Sequence, residues 1–364
     1  MRTGYVPLFL SAAALIIPLE GVSAHFRLNQ TYVGNDFLSG WTWETLDDPT
    51  HGRTNYVDQG TALSQNLTYA ADTKFVMRAD DWAVVPPTGR GRKSVRIISN
   101  QAWDESLIVI DLAHMPEGCS TWPAFWSLSQ KGPWPHGGEI DIIEGVNLGN
   151  QNLASLHTTP NCNMPPQGQR AQTQSGQTTS TTCDASVNSN QGCGVTFSKP
   201  GSFGSPFNQQ GGGYFAMART KADGVRVWFW PRGDPSVPQA VANPDALLPV
   251  PMRKRRNRSG KGGKKMAVLQ DVVDIVGPDT ITPDQSWGNP EAAFPTQDDN
   301  CGYEQHFDAH QMVFDLTFCG DWAGSVWPQS GCGAGSCVDY VNNNPQAFSN
   351  AYWEVNSVRV YTPY

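Results

Sequence analysis

Three carboxylates sit inside one apolar run, Gly137-Gly138-Glu139-Ile140-Asp141-Ile142-Ile143-Glu144-Gly145. A strand alternates faces with period two, so Glu139 and Asp141 share a face while Glu144 falls on the other. One extra residue accommodated as a β-bulge near Ile142-Ile143 returns Glu144 to the carboxylate face. The isoleucines then face the core. Carboxylates this close cannot all ionise freely, so at least one pKa is expected to rise. That supplies an acid and a base or nucleophile from similar side chains, the arrangement glycoside hydrolysis needs. A regular strand would set Glu139 and Glu144 about 13 Å apart at Cα, which two inward-leaning side chains can largely close. Carboxyl oxygens about 5–5.5 Å apart would mean retention through a covalent intermediate. The plainer alternatives are a solvated acidic strand face or a calcium site.

The rest of the chain sets the context. It has 364 residues, 25 lysines and arginines against 33 aspartates and glutamates, and a formal net charge of −8. An acidic balance argues against nucleic acid or an anionic membrane as partner. Hydrophobic residues make up 39% and charged residues only 16%, so the chain is not disordered. The 36 glycines and 27 prolines punctuate many turns. Tryptophan, at 13, nearly equals phenylalanine, at 15, which favours surfaces on which a sugar ring can stack.

Strand-like stretches recur at Lys93–Ser99, Leu107–Leu112, Gly138–Glu144, Tyr214–Thr220, Val225–Trp230, His310–Phe318 and Tyr352–Tyr361. In the last, alternation places Trp353, Val355 and Tyr361 on one face and Val358 and Val360 on the other. No amphipathic helix beyond short turns is expected, and no C-terminal anchor or appended module. The pattern reads as an all-β sandwich or jelly roll.

Arg2, the apolar stretch Val6–Leu19 and the small-x-small site Val22-Ser23-Ala24 read as a signal peptide over residues 1–24. A single domain, 25–364, is expected to follow. The eight cysteines suit an oxidising compartment and allow four disulfides, in any of about 105 pairings. Sequons at Asn29, Asn66 and Asn257 fit secretion. The polar segment Gln167–Ser202, carrying Cys183 and Cys193, is expected to be a long stapled surface loop. Met252–Lys265 holds 8 of the 25 basic residues, beginning Arg253-Lys254-Arg255-Arg256. It reads as a solvated loop, an anion or heparin patch, or a foreign insertion.

Glu-Ile-Asp-Ile-Ile-Glu, preceded by Trp122-Pro123-Ala124-Phe125-Trp126, resembles the signature of glycoside hydrolase family 16, in its fungal laminarinase-like endo-β-1,3(4)-glucanase branch. Asp48-Pro49-Thr50-His51-Gly52, Gly91–Ile97, Cys319–Gly324 and Asn356–Tyr361 resemble that branch as well. The resemblance implies a concanavalin-like β-jelly roll of two antiparallel sheets with an open cleft, and retaining hydrolysis of β-1,3 and mixed β-1,3/1,4 glucans. It implies Glu139 as nucleophile, Glu144 as general acid/base and Asp141 as the assisting acid between them. His157, on the neighbouring strand, would contact the acid group, or else be an ordinary hydrogen-bonded histidine. Trp126, Trp134 and Trp322 are candidate sugar platforms against plain core packing. Arg96, on a strand resembling a cleft-lining one, would bond sugar hydroxyls or form a structural ion pair. No cofactor or metal is expected, and the expected partner is β-glucan, met by a monomer.

Against this resemblance, 250–282 is an extra stretch, expected to be an artefactual insertion such as translated intron, or a surface loop remote from the carboxylates. Three rivals remain. His25, as a new N-terminus, would suit a copper-dependent polysaccharide monooxygenase. A non-catalytic glucan-binding jelly roll would have no need of the carboxylate trio. A cell-wall transglycosylase would use the same machinery.

Overall fold

The computed structural model describes residues 24–170, 173–242, 279–296 and 300–364. The signal-peptide expectation and nearly all of the 250–282 stretch lie outside the described residues.

Two antiparallel sheets form the sandwich. The first has the order β16 (Thr280–Ile281), β1 (Phe26–Tyr32), β19 (Tyr352–Pro363), β8 (Ser106–His114), β14 (Gly213–Thr220), β15 (Gly224–Pro231) and β17 (Ala292–Phe294). Beside β19 it also takes in β5 (Phe75–Arg78), which pairs with β4 (Thr68–Ala70). The second runs β12 (Gln177–Thr178), β13 (Cys193–Thr196), β11 (Leu153–His157), β10 (Glu139–Glu144), β9 (Thr121–Ser129), β18 (His310–Phe318), β7 (Arg96–Ser99) and β2 (Trp41–Trp43). A short parallel pair, β3 (Thr54–Tyr56) with β6 (Arg92–Ser94), stands apart. The longest described α-helix, Cys337–Asn343, has 7 residues. None is long and apolar enough to cross a membrane.

Between the sheets lies the main core, with Phe125, Ile140, Ile142, Ile143, Phe215, Phe229, Phe314 and Trp353. Each such side chain stabilises the fold by roughly 1.5–3 kcal/mol on burial. A second cluster, including Leu107, Tyr214, Trp228, Trp230, Trp287 and Tyr361, covers the outer face of the first sheet. That is why β14 is buried at every position instead of alternating.

Seven expected strand stretches coincide with observed ones, though Lys93–Ser99 is broken at Val95 into β6 and β7. Two expectations need correction. In β19 the register against β8 shifts between Glu354 and Val355 and again between Val355 and Ser357. These irregularities reverse the parity, so Trp353, Val355, Val358 and Val360 all enter the main core and Tyr361 enters the outer cluster. The segment Gln167–Ser202 is not only loop, because β12 and β13 within it extend the second sheet. Cys183 pairs with Cys193 there, as the stapling reading expects. The other disulfides are Cys119–Cys332, Cys162–Cys301 and Cys319–Cys337, so all eight cysteines are used.

Candidate active site

The site begins at a turn that only glycine fits. Gly137 and Gly138 both have positive φ, 75° and 82°. A Cβ on Gly138 would stand 2.6 Å from the Phe307 ring and 2.7 Å from the His306 carbonyl oxygen. The turn feeds β10, in which Glu139 pairs with Leu128 and Asp141 with Trp126 of β9. The next paired residue is Ile143, opposite Phe125, so Ile142 is the extra residue of a bulge. Ile142 and Ile143 are consequently both buried in the core, and Glu144 returns to the face of Glu139 and Asp141. On the same face stand Trp122 and Trp126 of β9, Ser155 and His157 of β11, Asp315 of β18 and Arg96 of β7, by register.

Each glutamate receives one indole N–H. Trp134 Nε1 donates to Glu139 Oε2 at 2.7 Å, and Trp122 Nε1 donates to Glu144 Oε1 at 2.8 Å. Burial, then the charge of Asp141, raises the Glu139 carboxyl to about 7. The same causes, in the same order, raise Glu144 well above the ordinary glutamate range. His157 stands opposite Glu139 in the β10–β11 ladder. Its Nε2 lies 3.3 Å from Asp141 Oδ2, and its Nδ1 is 2.7 Å from Asn190 Oδ1. The contact of His157 is therefore with Asp141, whereas Glu144 is met by Trp122. Burial alone disfavours a charged ring. The close approach of the Asp141 carboxylate and the charge of Glu139 outweigh it, raising His157 to about 10. Ligand atoms of Glu139, Asp141 and His157 all lie within 4.8 Å of one another.

Trp126 stands beside a second ionic cluster. Its Nε1 donates to Asp315 Oδ1 at 2.9 Å, and the Arg96 guanidinium lies 5.0 Å from its ring centroid. The indole N–H is thus not free for a sugar hydroxyl. Arg96 is buried and paired with Glu44 at 2.7 Å, the ion-pair alternative of the two expected for it. Tyr56 donates to Asp315 Oδ2 at 3.1 Å. Burial raises Asp315 to about 6, against the opposing charge of Arg96. Trp134 is 45% exposed and offers a flat face beside the nucleophile candidate. Trp322 is half-buried and meets Trp122 edge-on at 5.7 Å. His25, the copper-ligand candidate, faces Thr282 at 2.9 Å, and no three-ligand group among the described residues includes it.

Sequence reasoning missed Trp122, Asn190, Asp315 and Tyr56 as members of the site. A signal existed for Asp315, the lone acid in the apolar strand His310–Phe318, and for Trp122, two strand positions from Ala124 opposite Glu144. Asn190 carries none, since the contact depends on how its loop folds back.

The raised carboxyls have a measurable cost. A carboxyl whose folded pKa exceeds its unfolded value binds more protons when folded, so its contribution is full at low pH and declines as pH rises from about 4.5. Glu144→Gln keeps an oxygen for the Trp122 N–H and removes the ionisation. We expect its Tm to equal that of wild type at pH 4 and to exceed it at pH 8. Calorimetry at the two pH values checks this; equal Tm at pH 8 would contradict it.

A family model described as "XgeA-like, catalytic GH16 domain" matches residues 41–252 and 269–361. The chain belongs to glycoside hydrolase family 16. The internal residues left unmatched, 253–268, overlap the basic stretch 252–265 and are fewer than the expected 250–282, in which Thr280 and Ile281 pair with β1. A "Probable endo-1,3(4)-beta-glucanase" of Aspergillus niger is 37% identical over 361 residues, covering 97% of this chain and 42% of that one. This family 16 chain thus spans less than half of that relative's length. Among solved structures, laminarinase 16A from Phanerochaete chrysosporium, with 6-O-glucosyl-laminaritriose in donor and acceptor sites, is 44% identical. It aligns with a TM-score of 0.79 over 93% of this chain and 100% of that one. A structure described as an elongating GH family 16 beta-1,3-glucosyltransferase is 34% identical, with a TM-score of 0.75 over 93% of this chain and 100% of that one. The two-sheet sandwich is the jelly roll of these laminarinases.

Proposed function

We propose that this chain is an endo-β-glucanase that cleaves β-1,3 and mixed β-1,3/1,4 glucans with retention, through a covalent glycosyl-enzyme. The carrying observation is that a bulge at Ile142 places Glu139, Asp141 and Glu144 on one face of β10, with one indole N–H on each glutamate. Glu144 is the general acid/base: its raised pKa keeps a proton available for the leaving oxygen. Glu139 is the nucleophile. The Trp134 N–H and the His157 charge favour its ionised form against burial. Asp141 holds His157 and, through it, the charge balance of the site. Trp134 and Trp322 offer stacking surfaces to sugar rings, and Trp126 supports the sheet between them.

In the first step a Glu139 oxygen bonds to the anomeric carbon as the glycosidic C–O bond breaks, and the Glu144 proton goes to the departing oxygen. In the second, water adds to the anomeric carbon while Glu144 takes back a proton and Glu139 leaves. The reading includes secretion, a monomeric protein, removal of residues 1–24, and 253–268 as a segment foreign to the fold. Four disulfides support the oxidising compartment. The likeness to the elongating glucosyltransferase supports a second reading, in which a sugar hydroxyl replaces water in the second step.

Incubation with laminari-oligosaccharides and mixed-linkage glucan tests both. Shorter products with the β-anomer formed first are expected. Products longer than the substrate would favour transfer. No cleavage of any β-glucan, or α-anomer first, would overturn the reading.

A further inference from the structure

A bulge that puts Glu144 on the right face also leaves backbone groups without ladder partners, and buried groups of that kind cost roughly 1–3 kcal/mol each. Here one side chain meets two of them. Asn152 Oδ1 accepts the Glu144 N–H at 3.0 Å, and Asn152 Nδ2 donates to the Ile142 carbonyl at 2.9 Å. Asn152 is fully buried and its own backbone is fixed from both ends. Its N–H donates to the buried Ser202 hydroxyl at 3.0 Å, and its carbonyl accepts the Phe197 N–H at 2.9 Å. The next residue, Leu153, is the ladder partner of Glu144. The carboxamide therefore bridges the extra residue and the acid it re-aims, from a strand whose place is set independently by the Phe197–Ser202 segment.

We propose that Asn152 is a positioning residue for the general acid/base, setting where the Glu144 carboxyl stands relative to the leaving oxygen. The inference rests on the glucanase reading above. Its physical logic is register. A bulge-free β10 would turn Ile143 outward and Glu144 inward together, and the core does not permit that. Without the clamp the bulge persists but its outer residue is no longer pinned. A displacement of about 1 Å at a catalytic group costs about 100-fold in rate. Because only Glu144 is affected, the loss should track the need for a proton.

The test compares wild type with Asn152→Ala on laminarin and on 2,4-dinitrophenyl β-laminaribioside, whose leaving group needs no proton. We expect kcat/KM on laminarin to fall about 100-fold. The burst of dinitrophenolate, which reports formation of the glycosyl-enzyme, should change less than about fivefold, because proton donation is not used there. Carbon-13 NMR titration of the glutamate carboxyls should show the Glu144 midpoint falling while that of Glu139 moves less. If Asn152→Ala does not fold, Ser202→Ala, which loosens the Asn152 backbone, should give the same pattern at smaller amplitude. Equal losses on both substrates, or an unmoved Glu144 midpoint, would overturn the proposal. A wild type inactive on laminarin sinks the glucanase reading instead, and the NMR titration still decides the role of Asn152.

Discussion

Glu144→Gln should lose about 10³–10⁴-fold of its activity on natural glucan, whose leaving oxygen needs a proton. On an aryl laminaribioside the same variant should still form its glycosyl-enzyme and then accumulate it, because the second step lacks a base. Azide needs no base, so it should restore turnover and give the β-glycosyl azide. Glu139→Gln should behave differently. No intermediate should form on either substrate, since the attacking oxygen is gone. Azide in that variant can only substitute for the missing carboxylate and attack the substrate directly, giving the α-azide. The stereochemistry of the two azides thus assigns the two roles without reference to any relative. The geometry already separates them. Glu139 faces His157 across the ladder and takes the Trp134 N–H, while Glu144 lies beyond the bulge and takes the Trp122 N–H. An α-azide from the Glu144 variant would reverse the assignment.

The site was legible where chemistry and periodicity conflict. Three acids in an apolar run are costly in a strand unless they share a face, and period two allows that only with one extra residue. The bulge at Ile142 could therefore be placed from residue types alone. In β19 no such conflict exists. Both faces of that strand are covered by apolar clusters, and Val358, Val360 and Tyr361 suit either, so the two register shifts leave no trace in the alternation. Composition also hid β12 and β13. Their segment is polar because it lies at a sheet edge, and its order comes from Cys183–Cys193, ladder bonds to β11 and a few buried side chains such as Val195 and Phe197. Disulfide pairing joins residues up to 213 apart in sequence, a matter of topology that spacing does not encode. Trp122, the partner of Glu144, and Asp315, the partner of Trp126, were missed for a related reason. Trp122 and Asp315 reach the site across strand registers that only the folded sheet defines.

Asp141→Asn should move the pH profile of glucan hydrolysis toward acid and lower it. Asp141 is buried, and its charge is the second cause, after burial, that raises both Glu139 and Glu144. On the proposed mechanism the acid limb of kcat/KM follows ionisation of Glu139 and the alkaline limb follows loss of the Glu144 proton, both raised by burial and by Asp141. Removing the Asp141 charge lowers both midpoints, so both limbs shift to lower pH. His157 also loses its Asp141 partner and binds its proton less tightly, but the charge of Glu139 and the hydrogen bond to Asn190 still favour the charged ring. The downward shift therefore survives. Above the shifted alkaline limb, activity falls about tenfold for every pH unit that the limb moves. With the weakened hold on His157 added, we expect a loss of about 10²–10³-fold at neutral pH and a smaller one near pH 5. His157→Gln supplies the opposite sign. The His157 charge lowers both glutamates, so its removal should raise both midpoints and shift the profile toward alkali. Profiles of kcat/KM from pH 4 to 9 for the two variants read this directly. If Asp141 only supported the strand, its variant would lose height and keep the limbs in place. If both variants moved the limbs the same way, the charge balance drawn here among Glu139, Asp141 and His157 would be wrong.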